Sequence, residues 1–319
     1  MPKARALTEG ELRRLRPLEK KLRAAARRGD LRVAKEIAGD IQGLLRIAGD
    51  ETRLQKAKAW LYEAALEAGE LEFAVSGFIG IRGRTRPSTR IYLEATGLLA
   101  VCYLRLANLE AAKPLISESF QRVGNINSGP RKRQFYRRLI ERFEEEWAIA
   151  VLAMGMPEET LDPERVQNEA GMLVATTPED EILQQLGRHL PKQTADLLLE
   201  VYRYSHKQLP SAERLLLPSP DDKRRSRELG STVFRSAKRA VWKALCDPTT
   251  DTYKMWFENG IMVAMDRKVV GASVVSALTG LGIGVYAFAV PIAALLIKLG
   301  VDVFCETCSA GGLMIGLDE

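Results

Sequence analysis

Histidine is nearly absent from this chain. There are two, His189 and His206, separated by Pro191 and with no Cys or Asp at ligand spacing. That scarcity argues against a histidine metal site or acid–base centre. Cysteine is sparse as well: Cys102, Cys246, Cys305 and Cys308 are spread along a long chain, which predicts free thiols in a reduced setting rather than a disulfide framework. The one close pair, Cys305-x-x-Cys308, lacks both the further ligands of a zinc site and the strand leading into a helix of a redox pair. No apolar leader is visible before Leu31, so a cytoplasmic location is expected. The glycine run Gly280-x-Gly-x-Gly284 lies inside an apolar stretch with no following Lys-Ser or Lys-Thr, so it is not a phosphate loop. No nucleophile stands beside a readable base. We therefore assign no catalytic residue, metal or cofactor, and expect the protein not to be an enzyme.

What is present is helix. With 319 residues, 46% hydrophobic and 28% charged, the chain can bury a core in two domains of ordinary size. Thr8 and Glu11 have the spacing of a capping box, in which side chains satisfy orphan backbone donors at a helix start, and Leu12, Leu15, Leu18 and Leu22 follow on one face. Gly29-Asp30-Leu31-x-x-Ala34 recurs as Gly69-Glu70-Leu71-x-x-Ala74 and, altered, as Ala107-Asn108-Leu109-x-x-Ala112. Each copy has the chemistry of a tight inter-helix turn: a small residue, a capping residue, then apolar residues that pack the next helix back. With Trp60-Leu61-Tyr62, Ala64 and Ala65 before the second turn and Tyr92 to Leu106 before the third, residues 10 to 125 resemble a tetratricopeptide-type array. That resemblance implies antiparallel helix pairs and a protein partner bound by the array.

Gly, Asn and Pro at 124–130 mark a loop. A long helix is expected from Arg131 to Met154, with Phe135, Leu139, Phe143, Trp147 and Val151 as a packing stripe at i+4 steps. Glu144-Glu145-Glu146 reads as a solvated face. Prolines 157, 163, 178, 191 and 210 punctuate shorter helices that cap the array. Leu217-Pro218-Ser219-Pro220-Asp221-Asp222 marks a linker, giving a helical-repeat interaction domain over 1–217, a linker at 218–222 and a C-terminal module over 223–319.

That module starts with a basic amphipathic helix. Lys223 to Lys268 carries eleven Lys and Arg against five Asp and Glu, an excess equal to the +6 of the whole chain. Phe234, Ala237, Val241 and Leu245 line one face, and Arg235, Arg239 and Lys243 another. Between Arg267-Lys268 and Lys298 lie 29 uncharged residues, Val269 to Ile297, more than the ~20 that cross a bilayer core. The glycines divide this run into two helices, with Pro291 near the start of the second.

The expected fold class is therefore all-α: an antiparallel helix-pair repeat array followed by a helical module with an apolar hairpin. The functional expectation is an interaction or sensor protein whose hairpin engages an anionic inner membrane. Val269, Val275, Leu281, Gly284, Phe288, Pro291 and Leu295 would be the membrane-engaging residues, and Arg235, Arg239, Lys243, Arg267 and Lys268 the basic surface. By analogy this resembles bacterial conflict and phage-defence effectors. One alternative is a soluble adaptor whose hairpin is the core of a homo-oligomer. Another is a nucleic-acid-binding array using Arg82, Arg84, Arg86 and Arg90, or Arg131, Lys132, Arg133, Arg137 and Arg138.

Overall fold

The computed structural model describes residues 5–155, 159–208, 222–246 and 268–307. These are helices and their connections, without a strand, so the all-α expectation holds. The chain divides into two compact units, within Met1–Phe143 and within Glu144–Ala310. The linker expected at 218–222 lies, apart from Asp222, outside the described residues.

In the first unit, six helices run as consecutive pairs: α1 (Glu9–Arg28), α2 (Leu31–Ala48), α3 (Glu51–Ala68), α4 (Leu71–Arg84), α5 (Arg90–Arg105) and α6 (Leu109–Arg122). Each packs on the next in sequence, and α3 also packs along both α1 and α5, so the odd-numbered helices form a layer of their own. The first helix starts at the capping box of Thr8 and Glu11. Glu11 also pairs with Arg5, and its hydrogen bonds, chiefly that from Arg5, lower its pKa to about 2.

One joint is used repeatedly. Gly29, Gly49 and Gly69 all take the left-handed conformation, with φ of 68°, 72° and 86°. The residue after each donates its N–H to a carbonyl five positions back: Asp30 to Ala25, Asp50 to Leu45 and Glu70 to Ala65. These bonds satisfy carbonyls that the helix end would otherwise strand. Asp30 and Asp50 then cap the next helix, accepting from Val33 and Arg53 at 3.1 and 3.0 Å. At Ala107 the joint recurs without glycine: φ is 56°, Asn108 N–H reaches Tyr103 O at 2.8 Å, and Asn108 Oδ1 accepts from Ala111 at 3.0 Å. The turns expected at Gly29, Gly69 and Ala107 are thus present. That at Gly49 was missed because Glu51-x-x-Leu54 lacks the Leu-x-x-Ala signature.

The long helix α7 (Gly129–Gly155) has its expected stripe: Phe135, Leu139, Phe143, Trp147 and Val151 are all buried. Within the first unit Phe143 and Tyr136 meet the Phe120 ring, and Arg142 pairs with Glu67 at 2.5 Å.

The second unit is built on contacts between helices distant in sequence. It contains the rest of α7, then α8 (Pro163–Thr176), α9 (Glu179–Arg188), α10 (Lys192–Lys207), α11 (Asp222–Cys246), α12 (Lys268–Gly280), α13 (Tyr286–Leu299) and α14 (Val301–Thr307). Pro163 opens α8, while Pro178 and Pro191 stand just before α9 and α10. At these positions a missing N–H is harmless and the fixed φ suits a helix start. Here α11 packs extensively on α9. The packing depends on glycine at both contact points: a Cβ on Gly187 would strike the Ser226 carbonyl, and one on Gly230 the Leu183 carbonyl. On α12, Gly271 sits against α8, its N–H donating to Gln167 Oε1 at 2.8 Å.

Two expectations are corrected here. The uncharged run does form two helices meeting at Gly282 (φ 72°), but α12 has 13 residues and α13 has 14. At 1.5 Å per residue each reaches about 20 Å, short of a ~30 Å hydrocarbon core. No helix among the described residues is long and apolar enough to cross a membrane, so the transmembrane hairpin is overturned. The run is uncharged because its surface is covered by protein: α13 packs on α8 and α9, and α12 on α8 and α11. The free-thiol expectation also fails, since Cys246 at the end of α11 is disulfide-bonded to Cys305 on α14, with Cα atoms 5.4 Å apart. Cys102 is buried and takes no part in this disulfide, and Cys308 lies outside the described residues.

Candidate interaction face

The residues expected to engage a membrane are mostly interior. Gly284, Phe288, Pro291 and Leu295 are buried, while Val275 and Leu281 are half-buried. Phe288, Leu281 and Ile283 face Val233 and Ala237 of α11 around a small apolar void. The Val269 side chain, like those of Lys243 and Lys268, is not described, and Arg267 lies outside the described residues.

The basic face of α11 turns toward protein. Arg235 lies 3.7 Å from Glu144 and Arg239 3.9 Å from Glu145, both carboxylates belonging to α7. Glu144 and Glu146 are only 8% and 1% exposed, so the acidic run is not a solvated face. A carboxylate so far from water needs partners, and Arg235 supplies one to Glu144. His206 lies 4.0 Å from Glu144. Burial pushes its imidazole below the ordinary value, against the smaller upward effect of its hydrogen bond to the Tyr202 carbonyl.

The arginines once grouped for nucleic acid separate into two kinds. Arg82 donates to Glu118 at 2.6 Å and to the Tyr92 hydroxyl at 3.0 Å, and Arg90 donates to Glu94 at 2.8 Å. Arg82 thus ties α4 to α5 and α6, while the Arg90 pair lies within α5. Arg84 and Arg86 are exposed, as are Arg131, Arg133 and Arg137, with Lys132 and Arg138 half-buried. Burial lowers the pKa of Lys58, and the nearby charges of Arg84 and Arg46 lower it further.

In the array, α3 and α5 offer little surface. From Arg90 to Arg105, α5 has no fully exposed residue, and α3 has only Glu51, Thr52 and Ala68. The even helices differ. On α2, Gly39, Gly43 and Ile47 recur at i+4 steps on one exposed face; on α4, Phe73, Ser76, Ile79, Gly80 and Gly83 are exposed. Lys35 of α2 lies over the Phe73 ring of α4 at 5.1 Å, so side chains of the two helices meet there. Ile47 is 74% exposed, Ile79 51% and Phe73 38%. A Cβ added at Gly39, Gly43, Gly80 or Gly83 would meet nothing within 4 Å. Gly77 is different, because its missing Cβ makes room for the Tyr62 ring.

The second unit carries an open groove of about 530 Å³ between α8, α9 and α13. Met172, Leu173, Val290 and Pro291 supply apolar lining, and Glu169, Gln185, His189 and Tyr286 polar lining. Arg165 stacks on Tyr286 at 4.2 Å while pairing with Glu169 at 2.7 Å.

The fold thus defines an all-helical protein with a repeat-like array of consecutive helix pairs. No protein-family model, curated protein or solved structure matches the chain.

Proposed function

We propose that the chain is a non-enzymatic interaction protein whose array, in the manner of tetratricopeptide repeats, receives a helix of a protein partner on the outer face of α2 and α4. The observation that carries this is the set of four helix glycines, Gly39, Gly43, Gly80 and Gly83, with open space above them. Each weakens its helix by about 1 kcal/mol relative to Ala, and packing within the chain requires none of them. A bare backbone lets a second helix approach closely, and Ile47, Ile79 and Phe73 beside it provide apolar anchors. The architecture departs from the named family in period, since its joints recur every 20 residues and its helix pairs every 40, from Gly29 through Gly49 to Gly69, against about 34 per pair.

The test is one double variant with two readouts. Gly43→Lys together with Gly80→Lys should leave the melting temperature equal or higher, because the added side chains enter open space and favour helix. The same variant should lose at least tenfold of partner recovery when tagged full-length protein is isolated from its native source and its companions quantified. Self-association through this face would instead appear as a concentration-dependent mass in sedimentation that the variant abolishes. An unchanged companion set and unchanged mass would overturn the reading.

A further inference from the structure

The outer face of α1 is cationic without interruption. After Glu11 the helix carries Arg13, Arg14, Arg16, Lys20, Lys21, Arg23, Arg27 and Arg28 against a single carboxylate, Glu19. That carboxylate is buried and taken by Arg53 of α3 at 3.0 Å, so it neutralises nothing on the outer side. Arg23 is half-buried, its guanidinium over the Trp60 ring. Arg13, Arg14, Arg16, Lys20, Lys21 and Arg27 are exposed. Arg13 has an acidic neighbour on its own helix, Glu9 at 3.5 Å, in an exposed contact worth little in water. From Arg13 to Arg27 the ridge is about 21 Å long, at 1.5 Å per residue, which matches about six base-pair steps of 3.4 Å.

We propose that this face of α1 binds the phosphate backbone of a double-stranded nucleic acid, independently of sequence. Repeated cations along one line suit a polymer with regularly spaced charges, and binding is favoured by counterion release. Three features select the duplex. The helix has no aromatic residue on which unpaired bases could stack. Its polar side chains are Arg, Lys and Glu alone, so beyond the guanine contacts open to Arg and Lys its chemistry is that of phosphate contact. None of the exposed large apolar side chains lies on α1, which leaves an acidic protein partner without anchors. The apolar side of α1, with Leu15, Leu22, Ala25 and Ala26, is consumed by the array and is not free to enter lipid. This inference concerns a different face from that of α2 and α4, so either can fail alone.

The experiment is fluorescence anisotropy of the full chain with a short labelled DNA duplex, the matching RNA duplex, the single strand, and poly-glutamate as competitor, over roughly 50 to 200 mM salt. The variant reverses Arg13, Arg16 and Lys20 to Glu, with a milder version carrying Gln at all three should the first melt early. Arg84→Glu with Arg86→Glu is the control of similar charge change elsewhere. Wild type should bind at least one duplex, with log affinity falling linearly in log salt. The α1 variant should lose at least tenfold and flatten the slope by about 3, one unit per lost phosphate contact, while the control changes neither by as much. The two duplexes distinguish DNA from RNA as the source of the phosphates. Absence of duplex binding would overturn the proposal. So would affinity and slope unchanged in the α1 variants, tighter binding of the single strand, or competition by poly-glutamate equal to that by unlabelled duplex.

Discussion

The two units are made of similar helices and held by opposite means. In the first, each helix packs on its sequence neighbour and is turned back by a short joint whose bonds span five residues, so local chemistry is repeated. In the second, α11 packs on α9, α13 on α8 and α12 on α8, and a disulfide closes a separation of 59 residues. One unit is almost one-dimensional, in the sense that its stability is close to a sum over neighbours; the other depends on groups brought together from far apart. Local order can be written into a few turn residues. Distant order requires fitted surfaces, as at the paired glycines of α9 and α11.

The largest effect expected on this contrast is loss of the disulfide. For a loop of 59 residues the entropic estimate is about 4 kcal/mol. Cys246→Ser should lower hydrogen-exchange protection across α11 and α14 and leave α1 to α6 unchanged, and reductant should reproduce this in the wild type. Equal loss in both units would break the comparison. Next is Gly230→Ala, whose Cβ would enter the Leu183 carbonyl. Backbone cannot yield as a flexible side chain can, so a cost on the order of 3 kcal/mol is expected, read as a lower denaturant midpoint for probes in the second unit. The smallest is local to the first unit. Ala107→Gly should raise stability by about 1 kcal/mol by relieving a left-handed alanine, while Gly49→Ala should lower it by a similar amount. Calorimetry showing both changes with the same sign would contradict the shared joint.

The same contrast explains what could be read from sequence. Gly29, Gly69 and the Ala107-Asn108 pair were legible because a turn states its own chemistry within a few residues. The stripe from Phe135 to Val151 and the two-helix division of the uncharged run were legible from periodicity and glycine. Illegible were the facts that depend on distant partners. Arg235 and Arg239 look like an exposed basic face until Glu144 and Glu145 are placed beside them. Val269 to Ile297 reads equally as a lipid-facing or a protein-facing run, because absence of charge reports burial and not what does the burying. The face proposed on α2 and α4 left only a faint trace, glycines inside helices, whose meaning depends on the open space above them.

The recurring joint also makes array length a countable quantity. Removing residues 31–70 would bring Asp30 directly to Leu71, and Gly29-Asp30-Leu71-Glu72-Phe73-Ala74 restores the glycine, acidic cap, leucine and alanine in register. Duplicating the same forty residues would add a helix pair with no new joint to invent. Gene-level duplication or excision in that step changes the reach of the protein while leaving every hinge chemically the same.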